Sequence, residues 1–571
     1  MALPWSARLL AGRFPIRFIG LEIWFALFLL TAGIGVWAAY DSAAAMSKFW
    51  VLVSAVVLFY AVANLRPEHL PLTLAGLGGA GVWLIAFFLL TVERDYYRAD
   101  LEFLQPLMAA WFNLRPPVTS FAHNQNIFGG LLAMLIPLTA ASGLLARERK
   151  QQGGVLWAVL AVGMMLAGLL ITSTRAAWFA LLIGLSLWAA WWLSLKFGRA
   201  KLIFGGLVIV GIVVAVVLIA TVGPLALFSR LPGLNDGGVR LTLIRDTFDL
   251  VGDYAVLGGG LDAFAGLYSR YALVIPFYVL GYGHNFFLDV ALEQGLFGLL
   301  ALVIIYAGSF WLMLKNRNAA QSSNSPILSH AILVSLAVVL LHGLFDDALY
   351  GERGTPFLFL LPALAVALAA PSPAVGSVRA RVWSALQPQL ASLAVVALAA
   401  LSVWFWQPWR AELYANVGAV EMARHELSGF PVARWDERKD LSDLKLARRY
   451  LSYALELDPN NRAATYRLGL IAMLEGNFAE ATPRLEAALT DRSIPRGLAK
   501  TLGYSHTWLG NYERAGELLV NVPEARYEMQ VYSWWWGTQN RPDLAERATA
   551  MELRLAALGA EVNSDPLTTQ P

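Results

Sequence analysis

GYGHNFFLDVALEQGLFGLLALVIIYAGSFWLML, residues 281–314, decides the fold class. Its apolar run is long enough to cross about 30 Å of hydrocarbon at roughly 20 residues per helix. At its mouth stand His284 and Asn285, and Asp289 and Glu293 follow four residues apart, on one helical face. That face is predicted to look into a polar cleft. A titratable group where a wet surface meets lipid is costly unless it is paired, hydrated or used.

Working outward, the chain is 571 residues long and 58% hydrophobic, with a mean hydropathy of +0.56. These values exclude an ordinary soluble globule. Apolar runs predict eleven spans, near 19–39, 49–65, 71–91, 122–145, 152–172, 176–195, 202–222, 285–314, 328–345, 355–371 and 385–407. The fold class is therefore all-α: a polytopic helical membrane domain over 1–407. The first run has neither the short core nor the cleavage pattern of a signal peptide and reads as a retained helix. Arg8, Arg13 and Arg17 precede it and favour a cytoplasmic N-terminus. Alternation then puts Arg66, Arg147, Arg149, Lys150, Lys196, Arg199, Lys201, Lys315, Arg317, Arg379 and Arg381 inside. Loops 92–121, 223–284 and 346–354 fall outside, as does everything after 407. The absence of cysteine from the sequence excludes disulfides and thiolate chemistry. Cytoplasmic loop charge accounts for the net +3, so nucleic acid is not implied.

From 408 onward acidic residues outnumber basic ones and long apolar runs cease, which predicts a soluble helical part. Residues 408–440 read as a linker, 441–557 as helical repeats and 558–571 as a flexible tail. The repeat steps by 34: Leu468, Gly469, Gly476, Asn477, Phe478, Ala481 and Leu485 recur as Leu502, Gly503, Gly510, Asn511, Tyr512, Ala515 and Leu519. The same step runs back from Leu485 and Ala488 to Leu451 and Ala454, and forward to Gly537 and Leu553, with 441–520 the clearest match and 521–557 a degenerate or capping unit. Small residues at this period let paired helices approach, which resembles the tetratricopeptide family and implies an α-solenoid. Such a solenoid does no chemistry but can hold a partner. Tyr532 with Trp534, Trp535 and Trp536 belongs to that surface, packs on the last repeat or lies at the membrane interface.

Polar groups at predicted outer span ends form the candidate site. Besides His284, Asn285 and Glu293 they include Arg175 in ITSTRAAWF, whose plainer role is snorkelling to headgroups. The outer loop holds Arg230, Arg240, Arg245 and Arg270, with Arg240 and Arg245 in the helix-like VRLTLIRDTFDLV. Basic residues on that side oppose the inside-positive trend and point to an anion. His123, Asn124 and Asn126 open one span, and His342, Asp346 and Asp347 close another; these either line the cleft or cap helices. Gly258, Gly259 and Gly260 lack a P-loop or Rossmann context, so nucleotide binding is weakly supported, and no metal-ligand spacing appears. No cofactor is expected.

This set suits an anionic, partly lipid-borne substrate such as a polyprenyl-diphosphate sugar. Fixed guanidinium donors would stabilise the charge that develops on the leaving diphosphate. A histidine would take the acceptor hydroxyl's proton. His284–Asn285, nine residues, Gly295, two residues and Gly298 resembles the HN-x9-G-x-x-G signature of the O-antigen ligase and polymerase superfamily. His123–Asn126 before a span ending at Pro137, Ser173–Arg175, and Arg240 followed by Gly258–Gly260 agree with it in order. The resemblance spans roughly residues 20–370.

It implies a GT-C-like, metal-independent, inverting transfer of glycan from undecaprenyl-diphosphate on the outer face of a bacterial inner membrane. His284 would activate the acceptor, and Arg175 and Arg240 would bind diphosphate. The chain departs from the family at Ile244, where a bulky aromatic is common, and in its terminal repeats. A lipid or protein acceptor, polymerase activity, protein O-glycosylation and a lipid-linked sugar transporter all remain open. Paired inverted repeats would mark the transporter. An envelope assembly partner is a further expectation for the repeats.

Overall fold

The computed structural model describes residues 19–98, 101–196, 237–271, 280–315, 325–351, 354–369, 378–430, 444–489, 495–522 and 524–560. They are largely helical, and their strand-like contact is one parallel bridge between Val92 and Phe121. The membrane part contains α1 (Glu22–Ala38), α2 (Ser42–Ala63), α3 (Leu70–Thr91), α4 (Leu104–Leu114), α5 (Gln125–Glu148), α6 (Gln152–Ile171) and α7 (Arg175–Lys196). After these come α8 (Gly237–Asp253), α9 (Phe264–Tyr271), α10 (Phe286–Lys315), α11 (Ser325–Gly343), α12 (Leu360–Ala369) and α13 (Val378–Phe405).

Among the described residues six helices are long and apolar enough to cross a membrane: α2, α3, α5, α6, α10 and α11. The expected spans near 19–39, 176–195 and 355–371 appear as shorter apolar helices, and 202–222 lies outside the described residues. The last predicted span belongs to a bent pair, Gln389–Phe405 and Gln407–Glu426, which meet at 85°. Pro408 in the first turn of the second member explains the stop, since proline opens a helix readily and cannot continue one.

Helix α5 is the hub. Of its apolar window 83% is buried, and it packs on α3, α6, α7 and α11. Small residues permit this closeness: Gly78 of α3 faces Thr139, and Gly143 faces Ala158 of α6. In hydrocarbon such close backbone approach supplies the packing that water would otherwise drive.

Helix α10 is not the continuous span expected. It breaks at Gly295, where φ is 72° and ψ 179°, a conformation nearly restricted to glycine.

The stretch read as a linker, 408–440, is helical in its first part, and residues 431–440 lie outside the described residues. Helix α14 (Gln407–Glu426) precedes α15 (Lys445–Leu457), α16 (Arg462–Leu474), α17 (Phe478–Ala487), α18 (Arg496–Leu509), α19 (Tyr512–Leu519), α20 (Ala525–Thr538) and α21 (Pro542–Ala557). Successive helices pack as hairpins: Gly418 meets Leu451, Gly469 meets Leu485 and Gly503 meets Leu519. The last unit, 521–557, packs differently. Gly537 faces open space and Leu553 is exposed, because α21 buries Leu544, Ala548, Met551 and Leu555 instead. Tyr532 and Trp536 pack edge-on to Trp508 at 5.4 and 5.6 Å, leaving Trp534 outward.

This C-terminal region docks on α8 and α9 through one buried and one half-buried ion pair. Arg467 reaches Asp253 at 3.0 Å and Arg270 reaches Glu426 at 2.7 Å. Removing one partner of a buried pair leaves an uncompensated charge and costs about 3–5 kcal/mol. Arg467→Ala is therefore expected to lower the thermal midpoint of the detergent-purified protein and to speed proteolysis of the C-terminal region. Adding Asp253→Asn should restore part of the loss. A single variant as stable as the parent would contradict the docking role.

Candidate functional site

The site is a rim where four helix ends meet. Asn124 caps α5 by accepting from Asn126 N–H at 3.0 Å, and its amide donates to the Tyr282 hydroxyl. The Tyr282 ring lies 4.4 Å from the His284 ring. Thr174, just before α7, donates to Gln125 O at 3.1 Å. Gly130 clears space for His342, whose ring would meet a Cβ there at 2.7 Å. The starts of α5, α7 and α10 are thus drawn to the C-terminal end of α11. Ser173 and His284, each two positions before a helix start, sit at φ 52°. Left-handed backbone in non-glycine residues costs of order 1–3 kcal/mol and persists only where the surroundings impose it.

His284 Nδ1 lies 3.3 Å from Asp346 Oδ1, with the histidine side chain partly exposed and the aspartate fully buried. With Asp346 ionised and therefore only accepting, this contact would put the proton on Nδ1 and leave the Nε2 lone pair for a substrate proton. The same Asp346 oxygen accepts from Asp347 N–H at 2.9 Å. Asn285 acts as a cap: Oδ1 accepts from Phe287 and Leu288 N–H at 3.1 and 3.0 Å, and Nδ2 donates to Leu344 O at 2.9 Å. Asp289 accepts from Gly283 N–H at 2.7 Å, bracing the loop that presents His284. Asp347 accepts from Leu349 and Tyr350 N–H at 3.2 and 2.8 Å. Burial nevertheless pushes its carboxyl up to about 6. Beneath lies a small cavity lined in part by Gly130, Phe286, His342, Asp346 and Asp347.

The other expected residues differ in their surroundings. Glu293 faces Lys48 of α2 in an ion pair of 2.7 Å rather than an open cleft, and Lys48 rides over the Tyr350 ring at 4.2 Å. His123 is boxed by Phe87, Phe88, Phe121 and Phe128 and bonded to Thr91 Oγ1 at 2.7 Å, a structural placement. Asn126 is half-buried in the first turn of α5. Arg175 opens α7, half-buried. Arg240 lies in the first turn of α8, and its side chain falls outside the described residues. Arg245 is exposed, whereas Leu243 and Thr247 form the buried face of α8 and Thr247 borders Gly283. Asp347, expected beside Asp346, lies on the rim, whereas Tyr282 and Lys48 were not expected. Tyr282 stands two residues before His284, but nothing in the spacing of Lys48 foretells its partner.

Among the described residues no group of three or more His, Cys, Asp or Glu side chains could hold a metal ion. The arrangement is that of a polytopic helical membrane protein presenting a histidine–carboxylate pair at the ends of its helices. Residues 160–303 match the family model described as O-Antigen ligase. That segment contains Arg175, Arg240, Arg245, His284, Asn285 and Glu293. No curated protein matches the chain.

Asp347→Asn keeps the size of the side chain and an oxygen for the two backbone donors. The raised carboxyl favours the folded state below about pH 4, and that contribution is lost as pH rises through about 6. Thermal unfolding across this range should therefore show the parent losing stability relative to the variant, with a constant offset above it. Parallel pH curves would remove burial of a charged Asp347 from the account.

Proposed function

We propose that this chain is a membrane glycosyltransferase that moves a glycan from undecaprenyl-diphosphate to an acceptor hydroxyl on the outer face of a bacterial inner membrane. The observation that carries the reading is the His284–Asp346 pair at 3.3 Å, whose histidine lies in the segment that matches O-Antigen ligase. His284 Nε2 removes the acceptor proton as the oxygen attacks the anomeric carbon. The glycosyl–diphosphate bond breaks and its electron pair leaves on the phosphate oxygen. Asp346 holds the ring and offsets the imidazolium charge. Arg175 and Arg240 take the diphosphate, stabilising it more as charge develops. Arg245, on the exposed face of α8, is the weaker member of the set.

The reaction needs no metal in this scheme because guanidinium groups supply the positive charge. Ligase-like transfer is the reading chosen over polymerase or protein O-glycosylation, which share the donor chemistry. The C-terminal hairpins are proposed to be a tetratricopeptide-like domain in the periplasm. Their support is the packing of Gly469 on Leu485 and of Gly503 on Leu519, one period of 34 apart.

Reconstitution with a lipid-diphosphate glycan tests the base. His284→Ala should lower transfer by about 10²–10⁴-fold, and Asp346→Asn should lower kcat while leaving donor KM nearly unchanged. Full transfer by His284→Ala would remove His284 as base. Mass analysis of the product assigns the acceptor: lipid-attached glycan supports the ligase reading, whereas a longer lipid-linked polymer or a glycosylated Ser or Thr replaces it. The natural lack of cysteine makes topology equally direct. Glu513, whose side chain is 84% exposed, changed to Cys should react with an impermeant maleimide while the inner membrane is intact. Labelling only after lysis would place the repeats inside.

A further inference from the structure

The half-helix that carries His284 is held by a residue far away in sequence. The break at Gly295 parts the Leu296 amide from the Leu292 carbonyl, which an unbroken helix would join. One segment satisfies both: Leu296 N–H donates to Ala255 O at 2.8 Å and Leu292 O accepts from Gly259 N–H at 2.6 Å. The fit has no slack. A Cβ on Gly258 would stand 2.5 Å from Glu293 O, and one on Gly295 would stand 2.5 Å from Val256 O. From behind, α14 supplies Asn416, buried at 1% exposure. Its Oδ1 accepts from Leu257 N–H at 2.7 Å and its Nδ2 donates to Gly258 O at 3.1 Å. Of the polar side chains of this size, an amide accepts and donates in this way without carrying charge.

We propose that Asn416 is a positioning residue for glycan transfer: it clamps residues 255–259 into the break of α10 and thereby sets the direction of the segment that presents His284. The proposal rests on the reading of His284 as base for its kinetic consequence, but not for its structural one. It makes the C-terminal region part of the catalytic scaffold rather than an appended module. The start of α10 is also braced by Asp289 on Gly283 and by Asn285 on Leu344. A loosened splint would therefore tilt a unit instead of melting it.

The test uses the full-length protein in lipid nanodiscs, with hydrogen exchange read in the absence of substrate and transfer kinetics read separately. Asn416→Ala should speed exchange of the Gly259 and Leu296 amides by about tenfold and leave the hub α5 unchanged. It should lower kcat by up to about a hundredfold with donor KM nearly constant. Asn416→Asp keeps the acceptor and loses the donor, so it should fall between. Leu502→Ala, which weakens the repeat core without touching the splint, serves as the control and should retain kcat. Unchanged exchange at Gly259 and Leu296 overturns the clamp. Faster exchange with full kcat overturns its role in positioning, as does an equal kcat loss in Leu502→Ala. Exchange is read without turnover, so failure of His284 as base, seen in His284→Ala, is distinguishable from failure of the clamp.

Discussion

The amide of Leu296 and the carbonyl of Leu292 form the constraint around which this molecule is arranged. Each is a strong hydrogen-bonding group in a helix long and apolar enough to cross a membrane, and hydrocarbon would offer neither a partner. A helix would pair them at no further expense. Gly295 gives that up, and irregular backbone then survives only because the protein supplies Ala255 O and Gly259 N–H in their place. The glycine patch at 258–260, which lacks the context of a phosphate loop, is explained by this approach. Gly258 and Gly260 have φ of 84° and 112°, and backbone of α10 and α1 leaves no space for side chains at either.

Polar bonds around the break tie three helices together. Gln294 accepts from Thr31 of α1 at 2.9 Å and donates to the Tyr350 hydroxyl at 2.9 Å. One residue earlier, Glu293 takes the Lys48 ammonium of α2. A buried carboxylate without that cation would be expensive, so α1, α2 and α10 are registered by charge and amide chemistry rather than by apolar contact alone. The catalytic proposal benefits indirectly. With Glu293 neutralised by Lys48, the carboxylate that meets His284 is Asp346, and one oriented partner is what a fixed tautomer requires.

Much of this was legible in sequence for simple reasons. Span-length apolar runs and the capping choice left open for Asn124 each follow from local periodicity or local hydrogen bonding. His284 beside Asp346 was foreseeable as two polar groups at outer span ends, although not as a pair. The rest depends on tertiary partners that no local pattern encodes. His123 looked like Asn124, its neighbour, yet four phenylalanines enclose it. Glu293 shares a helical face with Asp289, yet a lysine from α2 takes it. Asn416 lies in a stretch that read as a linker, and its only clue was helical continuity after Pro408. The exposure of Leu553 has the same origin: the last hairpin buries a face shifted to Met551 and Leu555, and period alone does not reveal the shift.

The position of the C-terminal region follows from where its buried charges are spent. Arg467 and Arg496 project from α16 and α18 toward Asp253 and Asp246 of α8, and Arg270 of α9 answers with Glu426 of α14. Desolvated charges of this kind are not retained for stability, since apolar replacements commonly serve that better; they fix register. Tyr268 hydrogen-bonds Asp246 at 3.2 Å, and burial holds that carboxyl up at about 6 despite Arg496. The loop helices therefore carry an electrostatic pattern that matches one docking arrangement of the hairpins. A surface so committed to its own chain is not free for a partner. Any envelope protein that binds these hairpins must use another face, where Trp534 and Leu553 are exposed, and it would reach the His284 rim only through the helices they hold.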